Sequence, residues 1–188
     1  MKTGKPQAHR GRVGDKRFMA EALRLAAKGG RDVSPNPMVG AVLVRSGRIV
    51  ARGYHRRFGG AHAEVECLSR YAGPLDRTTL YVTLEPCSHF GKTPPCAALL
   101  ASTPISRIVV AMKDPNPLVA GEGIRQLRRA GKKVELGVLR GRAAKLNRRY
   151  IRGIGRKRPY VHVKVAQTLD GKIADGGDGV RWITGTES

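Results

Sequence analysis

The chain of 188 residues lacks any run of eighteen apolar residues, the length that a membrane-spanning helix needs. Its first eighteen residues are basic and lack the apolar stretch of a secretory signal. We therefore expect a cytoplasmic protein with no membrane partner. The length of 188 residues gives room for one well-packed domain and a smaller remainder, and a hydrophobic content of 40% is ordinary for a globular chain.

Cysteine is scarce as well. The three cysteines, Cys67, Cys87 and Cys96, are too few and odd in number for a disulfide framework. In a reducing compartment, the spacing of Cys87 and Cys96 is better explained by metal binding. Cys67 is expected to be a small buried apolar residue.

Acidic and aromatic residues are also few. The 36 lysines and arginines outnumber 14 acidic residues and give a formal net charge of +22, while aromatic residues make up 5% of the chain. Residues 140–158 contain nine basic side chains and no acid. Such a segment could bind nucleic acid, but it offers only Tyr150 for base stacking. A solvated basic linker is the favoured interpretation.

Hydrophobic patterns along the chain predict an α/β protein. Residues 39–44 and 49–51 predict a β-hairpin that turns at Ser46 and Gly47. Helical patterns then alternate with short apolar runs, which predicts a layered sheet. These runs are residues 79–84, 108–111 and 133–136, and residues 160–166 predict a further strand.

One histidine, one glutamate and two cysteines form the chemical signal of the sequence. His62 and Glu64 lie at the entry to a predicted helix, and two Pro-Cys pairs, ending in Cys87 and Cys96, follow them. His62, Cys87 and Cys96 provide the three protein ligands of a catalytic zinc site, which leaves a fourth position for water. Zinc lowers the pKa of its bound water to about 7, so that hydroxide is available at neutral pH.

Glu64 is expected to move the protons of the reaction. One carboxylate beside the metal can take a proton from water and deliver protons to the ring and to the leaving ammonia. Because residues two apart on an ideal helix point about 200° apart, His62 should lie at the helix edge. Cys87 and Cys96 should approach from the start of the next helix. These residues predict a zinc-dependent deaminase, although eight residues separate the cysteines instead of the usual two.

The chain resembles the bifunctional riboflavin-biosynthesis deaminase/reductase family, which has this longer loop between the cysteines. The resemblance extends from about Phe18 to the last residue. It is carried by the strings at 35–40 (PNPMVG), 53–55 (GYH), 62–65 (HAEV), 83–96 (TLEPCSHFGKTPPC), 114–121 (DPNPLVAG), 164–171 (KVAQTLDG) and 182–185 (WITG).

The resemblance implies a three-layer, cytidine-deaminase-like fold with a mixed sheet and an initial hairpin. It implies hydrolytic deamination of 2,5-diamino-6-ribosylamino-4(3H)-pyrimidinone 5′-phosphate by zinc-bound hydroxide, with Glu64 as the proton shuttle. His89 is a weaker candidate for the substrate pocket. Five polar positions match the family's substrate contacts: Asn36, His55, Lys92, Asp114 and Asn116.

Composition, pattern and resemblance together predict the domain organisation. A disordered basic arm (1–15) precedes the deaminase domain (16–140), and a basic linker (141–158) leads to the incomplete start of a reductase domain (159–188). By analogy Ala166 and Trp182 would touch NADP. A single strand cannot form a dinucleotide pocket, so we expect no reductase activity and no NADP(H) binding from this chain alone. The resemblance also suggests a homo-oligomer.

Two other interpretations stay open. A nucleic-acid base deaminase, such as a tRNA adenosine deaminase, would explain the charge, although such enzymes usually keep the short cysteine spacing. A non-enzymatic basic module with a closed structural zinc site would need a fourth protein ligand, and His89 is the nearest spare. We favour a small phosphorylated pyrimidine nucleotide as the partner over a nucleic acid.

Overall fold

The computed structural model describes residues 13–90, 94–117, 119–156, 161, 163–169 and 171. The chain divides into two compact units, residues 1–158 and 159–188. In chain order the first unit contains α1 (Val13–Ala27), β1 (Gly40–Arg45), β2 (Arg48–Tyr54), α2 (Ala63–Leu68), β3 (Thr78–Val82), α3 (Cys96–Ser102), β4 (Arg107–Val110), α4 (Glu122–Arg129), β5 (Lys133–Leu136), α5 (Arg140–Leu146) and α6 (Arg148–Arg156).

Five strands form a mixed sheet in the order β2-β1-β3-β4-β5. β1 is antiparallel to both of its neighbours, whereas β3, β4 and β5 run parallel. The predicted hairpin of β1 and β2 is confirmed. Its turn residues, Ser46 and Gly47, have positive φ angles of 48° and 74°, which matches the twist of a two-residue hairpin loop.

Alternate residues of each central strand pack on opposite faces of the sheet. Leu43, Leu80 and Ile108 belong to a core that also contains residues of α2, α3 and α4. Val42, Tyr81 and Val109 belong to a second core, formed with α1 and α5. The period of two therefore produces three layers, with helices covering both faces of the sheet.

A partly buried ion-pair network joins α1 to β4 and β5. Arg107 on β4 binds Asp15 of α1 and Glu135 of β5, with N–O distances of 2.8 and 2.9 Å. The Tyr81 hydroxyl donates to Asp15 at 2.6 Å. Residues 13–15, predicted to be part of a disordered arm, therefore begin α1, because Asp15 is buried and paired. Residues 1–12 lie outside the described part of the chain.

The segment from 141 to 156, predicted to be a linker, forms α5 and α6 instead. Ala143 and Asn147 are buried, and Leu146 and Ile151 pack against the second core. These residues recur at helical spacing among the arginines, so the segment is amphipathic and its apolar stripe faces the second core. The many basic residues of this segment led to the linker prediction, and the apolar stripe between them was overlooked.

In the second unit, residues 161 and 163–169 have no strand structure, which contradicts the strand predicted for 160–166 at every described position. Val161, Val163 and Val165 are mostly exposed. A strand requires a hydrogen-bonded neighbour, so an apolar alternation alone does not produce one.

No helix in the described ranges has the length and hydrophobicity to cross a bilayer.

The close approach of α2 to β2 depends on Gly53. A Cβ atom placed at Gly53 would lie 2.3 Å from the backbone nitrogen of Cys67 and 2.4 Å from the carbonyl oxygen of Ala63. Both neighbours are backbone atoms of α2, which cannot move independently of the helix. The absence of a side chain at Gly53 therefore fixes the position of α2 on the sheet.

We predict that Gly53→Ala lowers the free energy of unfolding by about 1–3 kcal/mol, the usual range for overpacking a core. Gly141→Ala is the matched control, because a Cβ at Gly141 meets nothing within 4 Å and α5 gains about 0.5–1 kcal/mol from the better helix former. Urea unfolding of both variants measures the difference. Equal stability of the two variants would contradict this account of the packing.

Candidate metal centre and active site

Two of the three predicted metal ligands lie where helices begin, and the third lies in a loop. His62 is the N-cap of α2, with the extended backbone angles φ −73° and ψ 161°. The expected position at the helix edge is therefore confirmed. Cys96 is the first residue of α3, and Cys87 lies in the loop after β3, where its carbonyl oxygen accepts the Ala97 N–H at 3.0 Å.

The ligand atoms of these three residues lie within 4.8 Å of one another. The Nδ1 atom of His62 is 3.5 Å from the sulfur of Cys87 and 3.3 Å from that of Cys96. A tetrahedral zinc ion with bonds of about 2.3 Å to sulfur and 2.0 Å to nitrogen separates such atoms by roughly 3.5 Å. The donor types and the spacing therefore both fit zinc.

Hydrogen bonds distribute the charge within this cluster. The Cys96 thiol, the His62 ring and the Cys96 backbone N–H hold the pKa of Cys87 below its usual range. The hydrogen bond to Cys87 raises the pKa of His62. The pKa of the Cys96 thiol is raised, because Cys87 beside it carries the negative charge and Cys96 is buried.

Glu64 lies directly beside the three ligand residues His62, Cys87 and Cys96. Its side chain is buried, with 3% of the residue exposed, and its carboxyl lies within hydrogen-bonding reach of the Cys96 thiol. Burial raises the pKa of Glu64 to about 7. A carboxyl group with this pKa both accepts and releases protons near neutral pH.

A cavity of about 340 Å³ opens above the cluster. Its size is that of a typical small-molecule site. It is lined by residues of the cluster and by residues of four other segments, and its polar members are Asn36, His55, His62, Glu64, Glu85, Cys87, His89, Asp114, Asn116 and Tyr150. The structure thus brings four of the five predicted substrate residues to one cavity.

His55 and Asn36 form a pair at one wall of this cavity. The Nδ1 atom of His55 lies 3.0 Å from the Ala61 carbonyl oxygen, which can only accept, so Nδ1 carries the hydrogen. The Nε2 atom then accepts from the Asn36 amide at 3.2 Å. Burial lowers the pKa of His55, which favours this neutral form. His55 therefore orients the Asn36 amide.

Asp114 and Asn116 lie at another wall of the cavity, in the loop after β4. One carboxylate oxygen of Asp114 accepts the Asn116 N–H at 2.9 Å and the Tyr150 hydroxyl at 3.0 Å. Burial raises the pKa of Asp114. The loop therefore has the form of a side-chain-stabilised turn, and its carboxylate also borders the cavity.

The remaining predicted residues are Lys92, Ala166 and Trp182. Lys92 and Trp182 lie outside the described residues. Ala166 belongs to the second unit, where it is exposed and has no regular secondary structure. Its role as an NADP contact stays a prediction.

Sequence reasoning missed two residues of the site. Glu85 is buried, and its carboxylate accepts the backbone N–H groups of Asp114, Gly121 and Ile124 at 2.9–3.2 Å. Its position two residues before Cys87 was the available signal. Tyr150 was noted only as an isolated aromatic residue in a basic segment, because its partner Asp114 is 36 residues away.

Residues 13–112 match the family model described as the cytidine and deoxycytidylate deaminase zinc-binding region. The riboflavin biosynthesis protein RibD of Aquifex aeolicus is 48% identical over 174 residues, which cover 93% of this chain and 49% of that protein. The chain therefore spans about half the length of the curated relatives that it matches.

Solved structures agree with this similarity. RibD of Acinetobacter baumannii has a TM-score of 0.85 at 44% identity and matches 92% of this chain and 48% of that one. A diaminohydroxyphosphoribosylaminopyrimidine deaminase/5-amino-6-(5-phosphoribosylamino)uracil reductase from Thermotoga maritima has a TM-score of 0.83 at 46% identity, with 92% and 50% of the two chains covered. The predicted cytidine-deaminase-like fold is confirmed. The chain belongs to the cytidine and deoxycytidylate deaminase zinc-binding family and is similar, within it, to the RibD proteins of riboflavin biosynthesis.

Proposed function

We propose that this chain catalyses the hydrolytic deamination of 2,5-diamino-6-ribosylamino-4(3H)-pyrimidinone 5′-phosphate. The observation that carries the proposal is the buried Glu64 carboxyl beside His62, Cys87 and Cys96, at the base of a cavity bordered by amide and carboxylate groups. The similarity to RibD proteins supports the choice of substrate.

His62, Cys87 and Cys96 would hold the zinc ion. When bound, the ion supplies a Lewis acid that makes a hydroxide nucleophile available near neutral pH. The described residues supply three ligands to this cluster, and His89 is not one of them. A three-ligand set supports a catalytic site over a closed structural one.

Glu64 would move the protons. Its carboxylate would take one proton from the attacking water and give it to the ring nitrogen, and would then take the second proton of that water and give it to the departing amino group. The pKa of Glu64, raised by burial to about 7, suits both directions of transfer. Burial also keeps bulk water from competing for these protons.

Polar groups at the two walls would orient the pyrimidine. The Asn36 amide, held by His55, can form a hydrogen bond with a ring carbonyl or amino group, and the Asp114 carboxylate can accept a hydrogen bond from an amino group. Asn116 borders the same wall. Lys92, which lies outside the described residues, stays a predicted substrate contact whose charge suits a phosphate. His89, which borders the cavity, stays a weaker candidate for the substrate pocket.

We also propose a reducing compartment, the cytoplasm, as the location. Cys67, Cys87 and Cys96 are free thiols, and metal ligation needs reduced sulfur. Self-association and the incomplete reductase segment at 159–188 stay predictions.

We predict that the protein binds one zinc ion per chain and that Cys96→Ala abolishes this stoichiometric binding. Cys67→Ala is the matched control, because Cys67 is buried in the first core and burial raises the pKa of its thiol to about 12. Metal analysis after dialysis measures both. Loss of zinc from the Cys67 variant, or its retention by the Cys96 variant, would refute this ligand set.

Replacing Glu64 by Gln should lower kcat for ammonia release by roughly 10²- to 10⁴-fold, because the amide cannot transfer protons. Zinc content and the unfolding midpoint should stay unchanged, since the shape is conserved. The assay uses the zinc-loaded chain with the phosphorylated diaminopyrimidine nucleotide. Retained turnover would refute the role of Glu64.

The same assay separates the nucleic-acid alternative. We expect turnover of the free nucleotide and none of a tRNA stem-loop. Turnover of the stem-loop alone, with an affinity that falls steeply with salt, would replace the proposed substrate by a nucleic acid.

A further inference from the structure

We propose that the α5–α6 segment is a clamp that positions the two polar walls of the cavity, through Asn147 on one wall and Tyr150 on the other. The proposal rests on the proposed function for its kinetic consequences. Its structural basis is independent of the substrate, since one short stretch of chain binds the loop that carries Asn36 and the loop that carries Asp114.

Asn147 holds the first wall. Its side chain accepts the Met38 N–H at 2.8 Å and donates to the Met38 carbonyl oxygen at 2.9 Å. Only 2% of Asn147 is exposed. The side-chain amide thus pairs with the extended backbone as a neighbouring strand would. The next residue, Val39, accepts the His55 N–H at 2.9 Å, so the stretch fixed by Asn147 also anchors His55.

Tyr150 holds the second wall. Its hydroxyl donates to the Asp114 carboxylate oxygen at 3.0 Å. Burial raises the pKa of Tyr150, so the hydroxyl keeps the hydrogen that it donates. Because the same oxygen accepts the Asn116 N–H, Tyr150 fixes the rotation of the carboxylate that borders the cavity.

The spacing of these residues allows one helix to do both tasks. Asn147 immediately precedes α6, and residues three or four apart share one helix face. Tyr150 and Ile154 accordingly both border the cavity. The clamp therefore forms part of the cavity wall and is more than a distant packing contact.

Tyr150 also influences the charge of Asp114. Besides Tyr150 and the Asn116 N–H, the charged groups that act on Asp114 are Glu85, which raises its pKa, and His89, which lowers it. Without the hydroxyl, the carboxylate loses one of its hydrogen-bond donors, while its burial is unchanged. Protonation of Asp114 then becomes easier.

Replacing Tyr150 by Phe removes one hydroxyl and should raise the KM for the nucleotide about five- to tenfold, with kcat within twofold, because a hydrogen bond to a charged group is lost. The Asp114 carboxyl pKa, followed by carbon NMR, should rise. Tyr71→Phe is the matched control, since the Tyr71 hydroxyl donates to the Pro74 carbonyl oxygen on the surface and Tyr71 does not belong to the described lining of the cavity. In a chain that turns over the nucleotide, either an unchanged Asp114 pKa or an unchanged KM would overturn the role of Tyr150.

The NMR measurement keeps this test separate from the proposed function. If the wild-type chain releases no ammonia from the nucleotide, the proposed substrate is wrong. A shift of the Asp114 pKa in the Tyr150 variant would still support the contact. Turnover by the wild type without that shift would leave the substrate in place and refute the clamp.

Asn147→Asp tests the other wall, because it replaces the donor to Met38 by an oxygen. Hydrogen exchange at the Met38 amide should become faster and KM should rise, while the Asp114 pKa stays at the wild-type value. Gln126→Glu makes the same chemical change on α4, outside the cavity, and should alter neither quantity. Asn147→Ser, which adds no charge, replaces the Asp variant if that one fails to fold. An unchanged KM despite faster Met38 exchange would refute the role of Asn147.

Discussion

The convergence of one imidazole and two sulfurs on a single point is the constraint on which the rest of the site depends. His62, Cys87 and Cys96 come from three separate stretches of chain, so α2, α3 and the loop after β3 must hold fixed positions on the sheet. The glycine at position 53 meets part of this requirement, because it lets α2 approach β2 more closely than any side chain would allow. The need to bring the three ligand atoms together therefore requires α2 to pack closely on β2.

A buried carboxylate joins the loop that carries Cys87 to the loop that carries Asp114. Glu85 lies two residues before Cys87 and receives three backbone N–H groups from the segment between Asp114 and Ile124. Gly123 lies so close to Pro86 that a Cβ there would meet the Pro86 carbonyl oxygen at 2.0 Å. Because these contacts are made to the backbone, they fix the path of the loop whatever its side chains are. A displacement of Cys87 would therefore also displace Asp114.

Local patterns predicted the parts of the site that are encoded by neighbouring residues. The hairpin turn at Ser46 and Gly47, and the spacing of His62 and Glu64, carry their information within a few residues. The contacts of the clamp could not be predicted in this way, because Asn147 binds Met38, which is 109 residues away in the sequence, and arginine dominates the segment around Asn147. The apolar run at 160–166 led to a wrong strand prediction for the same reason, because a strand needs a hydrogen-bonded partner that the local sequence does not identify.

The two glutamates that border the cavity show how the same side chain is given different tasks. Glu85 uses both carboxylate oxygens to accept backbone N–H groups, which commits it to holding the loop. Glu64 is equally buried, but its neighbours are the thiol and imidazole groups of the metal cluster, and burial raises its pKa to about 7. A carboxyl that releases and regains a proton so easily is suited to catalysis. The Glu64 carboxyl accepts its own backbone N–H, whereas Glu85 accepts three N–H groups of a distant loop, and this difference separates the two carboxyl groups.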